Sequence, residues 1–247
     1  MKKNEPAQIV ILAGGLGTRI RPLTDQIPKA LIPIRGIPFI HYQLKWLAHC
    51  GVRKIILSTG YLGHLIEEFV GNGSRWGVDV TFVNEGKNLR GTGGALRLIY
   101  DRGLLQEKFF VTYGDSFLPI DFQDVWNTFL NRSEPALMTV LKNSEKWDTS
   151  NSCFQDGRIP LYDKWANPKP PEMKYIDYGL SAFKPEVIER IPSDTKFDLA
   201  KLLHELSVKG KLAGYEVQER FYEIGSLQGI QDFEDYVGEA PPPLFSS

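Results

Sequence analysis

Two cations behind a glycine-rich bend are the residues of this 247-residue chain best placed, by type and spacing, to do chemistry. They are Arg19 and Lys29, ten residues apart in the stretch QIVILAGGLGTRIRPLTDQIPKALIP (residues 8–33). A guanidinium and an ammonium group are natural partners for phosphate oxygens. Gly14, Gly15 and Gly17 carry no Cβ, so the main chain there can approach a ligand closely and take a positive φ. Successive bare N–H groups of that kind form an anion-binding concavity. The ingredients, running from Leu12 and Ala13 through Thr18, suggest a nucleoside triphosphate site at the carboxyl end of a first strand. The loop is not a P-loop, since no G-K-[ST] step follows it. It is also a poor dinucleotide fingerprint, because an arginine stands where a small, close-packed residue would open the helix.

Further chemistry-bearing groups lie downstream. Asp115 follows the apolar FFVTYG at the end of a strand, where an aspartate is either a turn former or a ligand. A second glycine loop, RGTGGAL, contains Gly91, Thr92 and Gly93, with Glu85 shortly before it. Tight turning at a helix start explains those glycines with or without a ligand. Glu85 either reaches a ligand or is solvated. DKW places Lys164 beside Asp163, YIDYGLSAF contains Asp177, Tyr178 and Gly179, and FYEIGS contains Glu223.

These groups need a frame, and the pattern supplies one. Ile9 to Leu12 is a continuous apolar run, as expected of a strand buried on both faces of a parallel sheet. A second buried strand is predicted from Lys54, an alternating one from Val78 and a fourth from Lys108, with helices near 39–49, 62–70 and 92–100 between them. This alternation predicts an α/β fold, a Rossmann-like mixed and mainly parallel sheet flanked by helices. Beyond Asp121 the rhythm changes. A helix (122–130) and a strand (135–141) lead into SCFQDG, RIPLYDK and KYIDYGLSAF, which read as a small antiparallel subregion with Asp156-Gly157 as a hairpin turn. A helix over 199–208, final strands KLAGYEV and RFYEIG, and a helix over 227–237 close the pattern. No linker is evident, so one domain is expected over 1–238, with halves of about 1–120 and 121–238, and a flexible tail at 239–247. Trp76, Trp126 and Trp147 are read as packing residues.

Composition narrows the partners. The formal charge is −1, so no global field recruits nucleic acid or an anionic membrane. No apolar run reaches the length of a membrane span. Cys50 and Cys153 are too few for a disulfide framework, the four histidines lack metal-ligand spacing, and a cytoplasmic setting fits. A monomer or small homo-oligomer is expected.

The extended string AGGLGTRIRPLT, followed by PKALIPI, resembles the signature of the sugar-1-phosphate nucleotidyltransferases, also called nucleotide-sugar pyrophosphorylases. The resemblance implies transfer of a nucleoside monophosphate from an NTP to a sugar 1-phosphate, with Mg2+ as cofactor. It implies that Arg19 holds the β/γ phosphates, that Lys29 lies near the α-phosphate, and that Asp115 binds the metal. Glu223 stands where the family places an aspartate as second metal carboxylate, with a water-bridged role as the alternative. Leu12 to Gly14 would meet the base edge. Gly91, Thr92 and Gly93 would pass close to the base or ribose. DKW is similar to the family's Glu-Lys-Pro element, so Lys164 would pair with the sugar phosphate and Asp163 would accept from sugar hydroxyls. Gly179 would lie under the sugar ring, and Tyr178 either touches sugar or packs in the core. The chain resembles the short members without a C-terminal β-helix, among them heptose or mannose 1-phosphate guanylyltransferases and N-acetylmuramate 1-phosphate uridylyltransferases. The base stays open between guanosine and uridine. Two other readings are a non-catalytic nucleotide-sugar-binding regulatory subunit and a nucleotide-sugar-dependent glycosyltransferase.

Overall fold

A computed structural model describes residues 7–86, 88–143 and 147–239. Along the chain lie β1 (Gln8–Leu12), the short strands β2 (Pro33–Ile34) and β3 (Ile37–Pro38), α1 (Phe39–His49), β4 (Lys54–Thr59), α2 (Gly63–Val70), β5 (Asp79–Asn84), α3 (Gly91–Asp101), β6 (Phe109–Tyr113) and β7 (Ser116–Phe117). The chain goes on through α4 (Phe122–Leu130), β8 (Ala136–Lys142), β9 (Ser152–Gln155), β10 (Arg158–Tyr162), β11 (Tyr175–Phe183), α5 (Leu199–Val208), β12 (Leu212–Val217), β13 (Tyr222–Glu223) and α6 (Leu227–Glu239). These elements form two compact units interleaved in sequence: 7–89, 112–119 and 221–239 in the first, 90–111 and 120–220 in the second. The expected tail at 239–247 lies, apart from the last helical residue, outside the described residues.

In the first unit, β1 pairs in parallel with β4 and β4 with β5, with Val10 opposite Ile56 and Ile56 opposite Thr81. All five residues of β1 are buried, which is why the sequence shows an unbroken apolar run there. Between the strands, α1 turns Phe39, Ile40, Leu44 and Leu47 inward at helical spacing. The end of β6 lies beside β1, where Gly114 N–H donates to Leu12 O at 2.9 Å. Helix α6 returns to this unit to complete an aromatic core. Phe233 is fully buried, 5.0 Å from the ring of Phe117 and 5.2 Å from that of Phe39. Phe117 and Ile224 belong to the same cluster, so this packing fixes the antiparallel pair β7–β13, with Glu223 opposite Ser116. It thereby sets the position of Asp115 and Glu223.

In the second unit the strand order is β11-β8-β12-β10-β9, and β9 pairs back onto β11 through Tyr175 and Ser152. β8 is antiparallel to β11 and parallel to β12. The β9–β10 hairpin turns on Asp156 (φ 50°) and Gly157 (φ 72°), the left-handed pair that a tight turn between right-twisted strands requires. Helices α4 and α5 start on aspartate caps: Asp121 accepts from Gln123 N at 2.7 Å and Asp198 from Ala200 N at 3.0 Å. Trp76 and Trp126 are buried as expected. Trp147 corrects its packing assignment: it is 45% exposed, with the Arg220 guanidinium 4.2 Å from its ring. Among the described residues no helix is long and apolar enough to cross a membrane.

Candidate active site

In the first unit Lys29, one of the cations of the glycine bend, meets Asp115. Lys29 Nζ lies 2.6 Å from Asp115 Oδ2, with both side chains mostly buried. Leu12, Ala13, Gly15, Lys29 and Asp115 line one small cavity of about 60 Å³, together with Ala30 and Gly114. Arg19 sits in a short 3-10 turn (Thr18–Ile20) reached through Gly17, whose φ of 64° is the left-handed geometry that glycine takes without strain. That bend is pinned by Thr24 Oγ1, which donates to Gly17 O at 2.8 Å. Thr18 is exposed at the start of the turn.

Gly225 brings Arg19 and Lys29 together. A Cβ built there would stand 3.0 Å from Arg19 Nη2 and 3.7 Å from Lys29 Nζ. Ile224 N–H donates to Asp115 O at 3.0 Å, so exposed Glu223 and half-buried Asp115 sit on neighbouring strand ends. Two carboxylates with phosphate-seeking cations beside them suit a hard, oxygen-loving ion that takes its remaining ligands from a phosphate and water. Among the described residues no cluster of three or more His, Cys, Asp or Glu side chains could hold a metal by itself. The Glu85 carboxylate occupies the space a Gly14 side chain would fill, so a side chain at residue 14 would displace it.

A second constellation forms in the second unit. Lys164 Nζ lies 2.5 Å from Asp198 Oδ2. The other oxygen of Asp198 accepts from Ala200 N and, at 3.3 Å, from Thr92 Oγ1. Burial opposes the charge on Asp198, but the hydrogen bond from Lys164 and those from Ala200 and Thr92 outweigh it, and its pKa is lowered. Asp177 goes the other way. Burial raises its pKa from 3.8 to about 6, against the N–H of Gly179 and the charge of Lys164. Burial also pushes the Tyr162 phenol up, helped by the carboxylates of Asp177, Asp198 and Asp163, so these acids share one neighbourhood. Asp163 Oδ1 accepts from Trp165 N at 2.8 Å, the turn-forming role its residue type favours. Asp177 N donates to Asn151 Oδ1 at 2.9 Å and Gly179 N to Asp177 Oδ1 at 2.9 Å.

For two expectations the structure bears on the packing alternative. Tyr178 is 1% exposed and alternates onto the face of β11 opposite Asp177 and Gly179, which accords with packing in the core rather than sugar contact. The glycines of RGTGGAL make their close approach to protein backbone. Gly93 N and Gly94 N donate to Phe197 O at 2.9 and 3.1 Å, and a Cβ on Gly91 would meet that oxygen at 2.8 Å. Sequence reasoning missed Gly225, Asp198 and Asn151. Asp198 had a readable signal, a capping aspartate before the helical LAKLLHEL.

Parallel strands ending in a glycine bend, with a lysine–aspartate pair at the strand ends, fit a nucleotide-handling α/β protein. The description "Nucleotidyl transferase" fits residues 8–237, and the chain belongs to that family. It is similar to the UTP–glucose-1-phosphate uridylyltransferase of Synechocystis, at 28% identity over 88% of this chain and 60% of that protein. It is similar also to the N-acetylmuramate α-1-phosphate uridylyltransferase of Neisseria meningitidis, at 26% identity over 93% of this chain and 97% of that protein. Among solved structures, HddC from Yersinia pseudotuberculosis complexed with GMP-PN superimposes with a TM-score of 0.75 at 25% identity, covering 92% of this chain and 97% of the other. The chain spans about 60% of the length of several curated relatives that it matches.

Proposed function

We propose that this chain transfers a nucleoside monophosphate from an NTP to a sugar 1-phosphate, releasing pyrophosphate. The observation that carries the proposal is the Lys29–Asp115 pair, 2.6 Å apart, with Arg19 brought alongside by Gly225. A sugar phosphate oxygen is already ionised at neutral pH, so attack on the α-phosphorus needs no strong general base. It needs charge neutralisation and alignment. Arg19 binds the β/γ phosphates and the departing pyrophosphate, Lys29 lies at the α-phosphate, and the backbone of Gly14, Gly15 and Gly17 receives the phosphate chain. Asp115 and Glu223 are the residues that would hold Mg2+, which when bound neutralises phosphate charge. Lys164, held by Asp198, takes the sugar phosphate, and Asp163, Asp177 and Gly179 face the sugar.

The Glu85 carboxylate stands over Gly14, a place that suits the base, whose N–H edge a carboxylate accepts from. Relatives named as guanylyl- and uridylyltransferases support both bases. Membership of the nucleotidyl transferase family argues against a glycosyltransferase. The regulatory-subunit reading predicts loss of the cationic and acidic side chains, and Arg19, Lys29, Asp115 and Lys164 are all present.

The test is pyrophosphate release from a matrix of five triphosphates against a panel of sugar 1-phosphates. At least one pair turns over, and Arg19→Ala and Asp115→Ala each reduce that rate by orders of magnitude in folded protein. Near-full activity in either variant would refute the assigned role.

A further inference from the structure

We infer that the sugar 1-phosphate accepted by this chain carries a second anionic group, remote from C1, and that a separate basic cavity in the second unit receives it. The inference rests on the transferase reading above and names the substrate class.

The cavity measures about 840 Å³, within the range of small-molecule sites. One wall is the segment 147–150 and the other 169–174. Asn143, fully buried, fixes both. Its Oδ1 accepts from Trp147 N at 3.1 Å, its Nδ2 donates to Asp148 O and to Ser150 Oγ, and its own N–H donates to Lys174 O at 2.9 Å. Lys169 Nζ donates to Ser150 O and ties the walls together. The cavity is therefore preformed.

Cations predominate among the described lining residues. Lys142, Lys169 and Lys174 line it with one carboxylate, that of Asp148, while Glu172 follows in the same wall segment and Glu216 bonds the Tyr175 hydroxyl; Arg220 lies over Trp147 at the wall. The whole chain has a net charge of −1, so this positive field is local. Nothing in the transfer reaction as derived above uses these lysines.

Position connects the cavity to the sugar. In the β8–β11 register Lys142 stands opposite Tyr175 and Val140 opposite Asp177. Alternation along β11 puts Tyr175, Asp177 and Gly179 on one face, with Lys142 as the cross-strand neighbour of Tyr175. Asn151 follows directly on the cavity wall, and it bonds Tyr175 O through its N–H and Asp177 N through its Oδ1, both at 2.9 Å. Lys142 thus occupies the next position along the sheet face that carries Asp177 and Gly179, and it shares its cavity with Lys169 and Lys174. A sugar resting there meets ammonium groups beyond its ring, and these favour a carboxylate or phosphate over a neutral hydroxymethyl group.

The experiment compares kcat/KM for glucose 1-phosphate, glucuronate 1-phosphate and glucose 1,6-bisphosphate, each with GTP and with UTP, in the wild type and in Lys142→Gln/Lys174→Gln. Both lysines are exposed, and thermal unfolding verifies that the variant is folded. The wild type prefers the doubly anionic substrates by roughly tenfold, the effect of two or three partly exposed ion pairs acting together. In the variant the preference collapses towards one. Equal or better turnover of glucose 1-phosphate by the wild type would overturn the inference, as would a preference that survives in the variant. No turnover with any sugar and any nucleotide would remove the transferase reading, and the subsite with it.

Discussion

Replacing Asp177 by asparagine separates charge from shape in the second constellation. The folded protein raises this carboxyl group from 3.8 to about 6, chiefly by burial. Between those two values the folded state holds a proton that the unfolded chain has released. Stability therefore falls as the pH rises through that window, and the full penalty is present above about pH 6. At 1.36 kcal/mol per pH unit, the penalty amounts to about 3 kcal/mol at pH 7.5. Asparagine keeps an oxygen for the 2.9 Å bond from Gly179 N and carries no charge. Asp177→Asn is thus more stable than the wild type at pH 7.5 by up to about 3 kcal/mol, or roughly 6–12 °C in Tm for a chain of this size. Below pH 4 the two proteins melt together. Thermal unfolding of both between pH 4 and 8 checks this. A Tm difference that does not change with pH, or a less stable variant at pH 7.5, would refute the reasoning. A carboxylate retained at this cost points to use in binding, so the variant also loses at least tenfold in kcat/KM for the sugar 1-phosphate.

Other perturbations follow from the same geometry. Gly225→Ala puts a methyl group 3.0 Å from Arg19 Nη2, so the guanidinium must move; Tm stays within about 2 °C while kcat falls roughly tenfold or more, since small misalignments at a reacting phosphate are magnified. Asp198→Asn keeps the α5 cap and holds Tm within about 1 °C, whereas Asp198→Ala loses the cap, worth about 1 kcal/mol, and melts roughly 2–4 °C lower. Both release Lys164 and raise KM for the sugar 1-phosphate at an unchanged KM for the triphosphate, as steady-state kinetics would show. Phe233→Ala opens a cavity beneath β7 and β13 and lowers stability by about 3–5 kcal/mol in denaturant unfolding.

What the sequence made legible, and what it concealed, divides along the range of the interactions. The central residues of β1 and β4, Ile9–Leu12 and Ile55–Leu57, are buried on both faces, so they form continuous apolar runs and the strands announce themselves. The bend at Gly14 to Gly17 is equally local, because the absence of a Cβ is written in the residue type. β7 and β13 are different: each is two residues long, they lie more than a hundred positions apart, and neither shows a period. Their backbone pairing and the aromatic cluster around Phe233 are both long-range, and so the closeness of Arg19 to Gly225 cannot be read along the chain. Asp198 is legible as a cap, since capping is a three-residue affair, but its partner Lys164 lies 34 residues away on an irregular loop. The RGTGGAL loop makes the division plain. Its glycines declare that something approaches closely, and a ligand and a protein backbone demand the same missing Cβ. The structure answers with Phe197 O, and an added Cβ on Gly91 or Gly93 meets the protein itself. Their replacement by alanine therefore acts first on the packing of α3 against the start of α5, and through Thr92 and Asp198 on Lys164.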